Sequence, residues 1–124
     1  MTDEERRARG EKMFNEVYGG IVSVPPEAKD APFIDIMLRN LFGEVWARDV
    51  MSVRDRRLLL IGAVAALGEG AIMEIQLRAA LRNKELTVEQ VNEILVMMAS
   101  YIGYPRATNL QAAIMRAIAA EKAT

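Results

Sequence analysis

The sequence predicts an all-α fold. Apolar residues recur three and four positions apart over most of the chain, no stretch alternates apolar with polar residues, and the interruptions hold Gly, Pro or helix-capping pairs. Thr2-x-x-Glu5 has the form of a capping box and opens a first helix. Met13, Phe14, Val17 and Tyr18 recur along it at helical spacing until Gly19-Gly20 stop it. Residues 21–32, with Pro25, Pro26 and Pro32, form a connector without strand-pairing potential. A second helix is predicted from about Phe33 to Trp46, with Ile34, Met37, Leu38, Leu41 and Val45 on one face.

Ser52-x-x-Asp55 caps a third helix that runs to about Leu67, and Gly68-Glu69-Gly70 is a break. A fourth helix covers roughly Ala71 to Arg82, followed by a short polar turn, Asn83-Lys84-Glu85. Thr87-x-x-Gln90, another capping box, opens a fifth helix with Val88, Val91, Ile94, Leu95 and Met98 on its core side. Gly103 ends it, and Pro105 suits the first position of a sixth helix that reaches about Glu121.

The third helix bears on assembly. Residues 58–67 (LLLIGAVAAL) carry no polar group on any face, and a helix that is apolar all round is a buried one. Either subunits cover one another or this helix is the centre of a monomeric bundle. The 52% hydrophobic content and eight methionines favour subunits.

A chain of 124 residues is long enough for one core, so residues 1–124 are read as a single domain. Its 16 Lys plus Arg against 17 Asp plus Glu leave a net charge of -1, which gives no footprint for nucleic acid. The N-terminal Thr2-Asp3-Glu4-Glu5-Arg6-Arg7 lacks the apolar segment of a secretory signal. The longest apolar run, 58–67, is half the ~20 residues needed to cross a bilayer. With no cysteine for disulfides, the expectation is a soluble cytoplasmic protein without membrane or nucleic-acid partners.

The chain has no histidine and no cysteine. That excludes Ser-His-Asp and Cys-His nucleophilic catalysis, thiol peroxide reduction and His-ligated metal sites. Chemistry is left to carboxylates, arginines, tyrosines, amides and the backbone, with no metal and no cofactor expected.

Within the fourth helix, Glu74, Arg78 and Arg82 share a stripe at four-residue spacing and read as a solvated salt-bridge face. Gln76 points the opposite way, among Ile72, Ala79 and Ala80, and Glu69 joins that side if the helix extends back to it. A buried amide needs partners, so Gln76 is either a satisfied core amide or part of a substrate site. Glu44 and Arg48, four apart, read as a surface ion pair or as site residues. Arg54, Arg56 and Arg57 crowd the first turn of the third helix against the macrodipole, which calls for partner carboxylates such as Asp55 or Glu44, or for a bound anion.

The blocks Phe42-Gly43-Glu44-Val45-Trp46-Ala47-Arg48, Arg54-Asp55-Arg56, Ala65-Ala66-Leu67-Gly68, Leu77-Arg78-Ala79-Ala80-Leu81, Thr87 to Leu95 and Tyr101-Ile102-Gly103-Tyr104-Pro105-Arg106-Ala107 run in unbroken order. In these blocks the chain resembles the carboxymuconolactone decarboxylase family, a relative of the alkylhydroperoxidase D-type proteins. The resemblance implies an all-helical subunit in a ring-like homotrimer or homohexamer, with sites near subunit contacts. Peroxidase-type relatives carry Cys-x-x-Cys and then His, which align with Glu69, Ile72 and Gln76 here. The redox pair is therefore absent, and glutamine stands where decarboxylase-type relatives usually have histidine.

The implied reaction is cofactor-independent decarboxylation of a carboxylated lactone such as 4-carboxymuconolactone, in aromatic-compound catabolism. Arg48 or Arg56 would clamp the substrate carboxylate, Gln76 would donate to the developing oxyanion, and Glu44 or Glu69 would protonate carbon. The resemblance adds Trp46 and Tyr101 as substrate contacts. Two other readings stand beside this one. One is a non-catalytic ligand-binding or assembly member; the other is a different cofactor-free reaction on the same scaffold, such as isomerisation or ring closure.

Overall fold

Six helical segments and no strand make up the regular structure among the described residues, which are 1–25 and 30–124 of the computed structural model. Pro26 of the predicted connector lies outside them. The segments are α1 (Asp3–Tyr18), α2 (Pro32–Ile36, continuing as a π-helix over Met37–Trp46), α3 (Val53–Leu67), α4 (Gly70–Arg82), α5 (Val88–Ile102) and α6 (Tyr104–Lys122). Contacts divide the chain into two units, Met1–Val53 and Arg54–Thr124.

In the first unit α1 packs against the π-helical part of α2. Thr2 caps α1 as its sequence predicts, its hydroxyl oxygen accepting from the Glu5 amide at 3.1 Å. The two helices meet backbone to backbone at glycines. A Cβ on Gly43 would lie 2.6 Å from the Arg6 carbonyl oxygen, and one on Gly10 would collide with the Leu38 carbonyl oxygen. Phe14, Tyr18, Phe42 and Trp46 cluster beside this crossing, with Phe14 edge-on to Phe42 at 5.0 Å between ring centroids.

The π winding corrects the predicted face of α2. Leu38, Phe42 and Trp46 are buried at four-residue steps, whereas Leu41 and Val45 are exposed. The wider turn, closed by i→i+5 hydrogen bonds, advances each residue by a smaller angle than an α-helix does. A residue three positions on from a buried one therefore leaves the face, while one four positions on stays. The Gly43 carbonyl, among the last of this helix, accepts a 2.6 Å hydrogen bond from Arg9 Nε.

In the second unit the core holds Ile61 and Ala65 of α3, Met73, Leu77 and Ala80 of α4, Val91 of α5, and Leu110, Ala113, Ile114 and Ala117 of α6. Thr87 and Gln90 complete both halves of the capping box of α5. Gly103 has φ +85°, which a side chain disfavours, and it both ends α5 and precedes α6. α6 starts at Tyr104, so Pro105 occupies its second position rather than its first. Val88 and Ile72, expected inside, are exposed.

The stripe of charges on α4 is not a ladder along one helix. Arg78 and Arg82 both reach Glu121 of α6, with Nε–carboxylate distances of 2.9 Å each, and Glu74 pairs with Arg116. The reason is that α4 lies against α6, which brings opposite charges closer than the intrahelical spacing does. Hydrogen bonds from Arg82, with those from Arg78 and the charge of both, hold Glu121 below the ordinary glutamate range against the upward pull of burial. α3 is only half covered within the chain, since Leu59 and Leu67 remain 65% and 72% exposed. No helix among the described residues is long and apolar enough to cross a membrane.

Two measurements check these contacts. Gly10→Ala should destabilise the protein by about 3 kcal/mol, the upper range of overpacking costs, because backbone rather than a flexible side chain blocks the added carbon. Urea unfolding that shows a loss below about 1 kcal/mol would refute the close crossing. Glu121→Gln should cost about 1 kcal/mol at neutral pH, the scale of a well-ordered surface pair. Because the native pKa lies below the unfolded one, that contribution is complete above pH ~4.3 and disappears as pH falls through the native value. The stability gap between wild type and Glu121→Gln should therefore close in acid; a gap constant from pH 7 to pH 3 contradicts the assignment.

Candidate functional site

The second unit buries two polar side chains among its described residues, Arg57 at 0% exposure and Gln76 at 2%, and they are bonded to each other. Arg57 lies on the inward stripe of α3 with Ile61, Val64 and Ala65. Its Nη1 donates to Gln76 Oε1 at 2.7 Å. Its Nε and Nη2 donate to the two carboxylate oxygens of Glu85, at 3.0 and 3.1 Å. This is a bidentate pair with the guanidinium's third edge turned to the amide.

Local chain geometry places Glu85. After Asn83, Lys84 adopts a left-handed conformation with φ +58°. Its amide donates to the Leu81 carbonyl at 3.1 Å and that of Glu85 to the Ala80 carbonyl at 2.9 Å. These two bonds form a Schellman closure of α4 with lysine where glycine is usual, at a cost of roughly 1–2 kcal/mol. The reversal sends the Glu85 side chain back to α3. Asn83 Nδ2 donates to Glu85 Oε2 at 3.2 Å, and Arg54 Nε donates to the Glu85 backbone carbonyl at 3.0 Å.

Gln76 thus has its oxygen committed to Arg57, which fixes the orientation of the amide and leaves its NH2 as the group it can offer a ligand. A neighbouring cation on the carbonyl side polarises the amide and strengthens that donor. Gln76 can donate and accept hydrogen bonds but cannot carry a proton.

The remaining predicted site residues are distributed as follows. Glu44, half-exposed near the end of the π-helix, is ion-paired with Arg6 and, at 3.7 Å, with Arg9 Nη2. It borders a groove of about 570 Å³ with Arg6, Ile36, Arg39 and Asn40. Trp46 is buried against Phe42, and Arg48 is exposed just past the helix. In the second unit Arg56 sits half-buried in the first turn of α3, and Tyr101 is exposed on α5. Glu69 is exposed and precedes α4 with non-helical backbone, so it does not share Gln76's helical face. Among the described residues no group of three or more Asp and Glu side chains converges to hold a metal ion.

The structure brings Gln76 to Arg57, not to Arg56, and gives Arg57 and Arg54 a common partner in Glu85. Asp55, expected as a partner for the arginine cluster, lies only 3.6 Å from Arg54 Nη1. From the sequence Arg57 stands out only as one of three arginines that call for carboxylates or a bound anion, and Glu85 does not stand out as their partner. A signal for Arg57 existed: it is four residues before Ile61 and eight before Ala65, on the apolar stripe.

The carboxymuconolactone decarboxylase family model matches residues 31–120, a span that holds Arg57, Gln76 and Glu85 and leaves α1 outside. A 4-carboxymuconolactone decarboxylase from Acinetobacter baylyi is 28% identical over 111 residues, covering 85% of this chain and 81% of that protein.

Proposed function

We propose that this chain, which belongs to the carboxymuconolactone decarboxylase family, is a cofactor-independent carboxy-lyase for a small cyclic carboxylate, with a carboxylated lactone such as 4-carboxymuconolactone as substrate. The observation that carries the reading is the fixed orientation of Gln76 by Arg57. In such a reaction the bond to the carboxylate carbon breaks, carbon dioxide leaves, and the electron pair flows into the conjugated lactone carbonyl. A preoriented donor at that oxygen stabilises charge that is absent from the bound substrate's carbonyl and develops in the transition state. The Gln76 NH2 takes that role, its orientation held by the bond from Arg57.

Carbon must then gain a proton, which Gln76 cannot supply. Within the second unit Glu69 fills this role, with Arg56 as the carboxylate clamp and Tyr101 as a substrate contact. Assembly into a homotrimer or homohexamer belongs to the same reading. It is supported by the apolar surface of α3 left open at Leu59 and Leu67.

A second reading has its own support. Gln76 is as enclosed as a core residue and its oxygen is satisfied, so the Arg57–Gln76–Glu85 group can serve the fold alone, in a protein that binds its ligand without turning it over.

Incubation with 4-carboxymuconolactone, following loss of lactone absorbance and release of carbon dioxide, separates the two. The lyase reading expects turnover that falls about 10²–10³-fold in Gln76→Leu, the cost of one oxyanion donor, with the oligomer intact. Saturable binding without carbon dioxide release favours the second reading, and full activity in Gln76→Leu removes the amide from the mechanism.

A further inference from the structure

A groove of about 310 Å³ runs between α3 and α5 within the second unit, and its lining includes neither Gln76 nor any other residue assigned to the lyase site. Its walls are Leu58, Leu86, Ile94, Met97 and Met98. The volume lies in the range of small-molecule sites, which are apolar with a few placed polar groups.

The groove has one polar and one apolar end. Arg54, Leu58 and Gly62 line it from α3 at successive four-residue steps, so the Arg54 backbone is about 12 Å along the helix from that of Gly62. At Arg54's end the guanidinium is oriented by the hydrogen bond from Nε to the Glu85 carbonyl. Asp55 pairs with Nη1 at 3.6 Å, an exposed ion pair longer than a hydrogen bond and weak enough for a ligand carboxylate to compete with. At the other end, a Cβ built on Gly62 would meet only the Met98 methyl, at 3.9 Å. A glycine inside a helix forfeits stability relative to alanine, and no close approach among the described residues requires one here. Its absence of side chain keeps the apolar end open.

We propose that this groove binds an apolar monocarboxylate, its carboxylate on Arg54 and its hydrocarbon part over Gly62 between Leu58, Ile94 and the two methionines. Arg54 favours a carboxylate through its planar fork of donors. Arg54 is the one cation among the described lining residues and Glu93 the one carboxylate, so a second ligand carboxylate would find no counter-charge, and the unbranched thioether side chains of Met97 and Met98 adapt to a ring or a short chain. The length from Arg54 to Gly62 fits a bicyclic aromatic acid or a medium-chain fatty acid.

The test uses 2-naphthoate and octanoate, with 2-naphthamide as the uncharged comparison. Calorimetry gives affinities, and amide shift changes in two-dimensional NMR locate the ligand. Naphthoate should bind saturably, with the largest shifts at Gly62 and in residues 94–98, and naphthamide at least tenfold more weakly. Arg54→Gln should weaken naphthoate at least tenfold and leave naphthamide unchanged, while Gly62→Leu, which fills the groove, should abolish both. Equal affinity for the acid and the amide, binding unaffected by Gly62→Leu, or no saturation at millimolar naphthoate would overturn the proposal. So would a drop in molecular mass on light scattering for Gly62→Leu, which would assign the groove to a second copy of the chain.

Discussion

A guanidinium removed from solvent has to be met on each of its donor edges, and in the second unit that requirement falls on Arg57. Much of the local structure follows from it. Two carboxylate oxygens must come from beyond the end of α4, so the chain reverses through a left-handed Lys84, and a third acceptor must come from the inward face of α4, which sets Gln76. α3, α4 and the turn into α5 are thereby held by one charge. Such a buried pair confers little net stability over well-packed apolar residues of the same size, whereas removing one partner alone leaves a stranded charge. What the arrangement provides is direction: an amide whose oxygen faces the cation and whose NH2 faces the other way.

The first unit is organised by a different constraint, the contact of two helix backbones at Gly10 and Gly43. A π-helical segment presents Leu38, Phe42 and Trp46 to α1 and carries Glu44 at its end, where arginines of α1 hold it. Helices of this type concentrate at functional sites, and this one includes the Gly-Glu-Val-Trp block, which lies within the span that the family model matches. The arginines that hold Glu44 lie in α1, outside the span that the family model matches.

The helices were legible because their signals are local. Thr2 and Thr87 cap as their spacing with Glu5 and Gln90 predicts, and Gly103 separates α5 from α6 through its positive φ. The face of α2 was not legible, since α-helical periodicity cannot anticipate a π winding that is set by packing against α1. The charge pairs were misread for a related reason: Glu74, Arg78 and Arg82 look complementary along one helix, but their partners stand on α6, some forty positions later in the chain. Gln76 was visible as a polar group on an apolar face. Its partner Arg57 was hidden among three neighbouring arginines, and Glu85 in what reads as an ordinary polar turn.

That Arg57, Glu85 and Gln76 act as one unit is tested most directly by a double-mutant cycle on stability with Arg57→Met and Glu85→Leu. Glu85→Leu alone should cost about 3–5 kcal/mol, because it strands a buried cation. Adding Arg57→Met should restore most of that loss, a coupling of about 2 kcal/mol or more. Additivity within about 0.5 kcal/mol would mean that the two residues do not depend on each other, and the argument for a fixed Gln76 would fall with it.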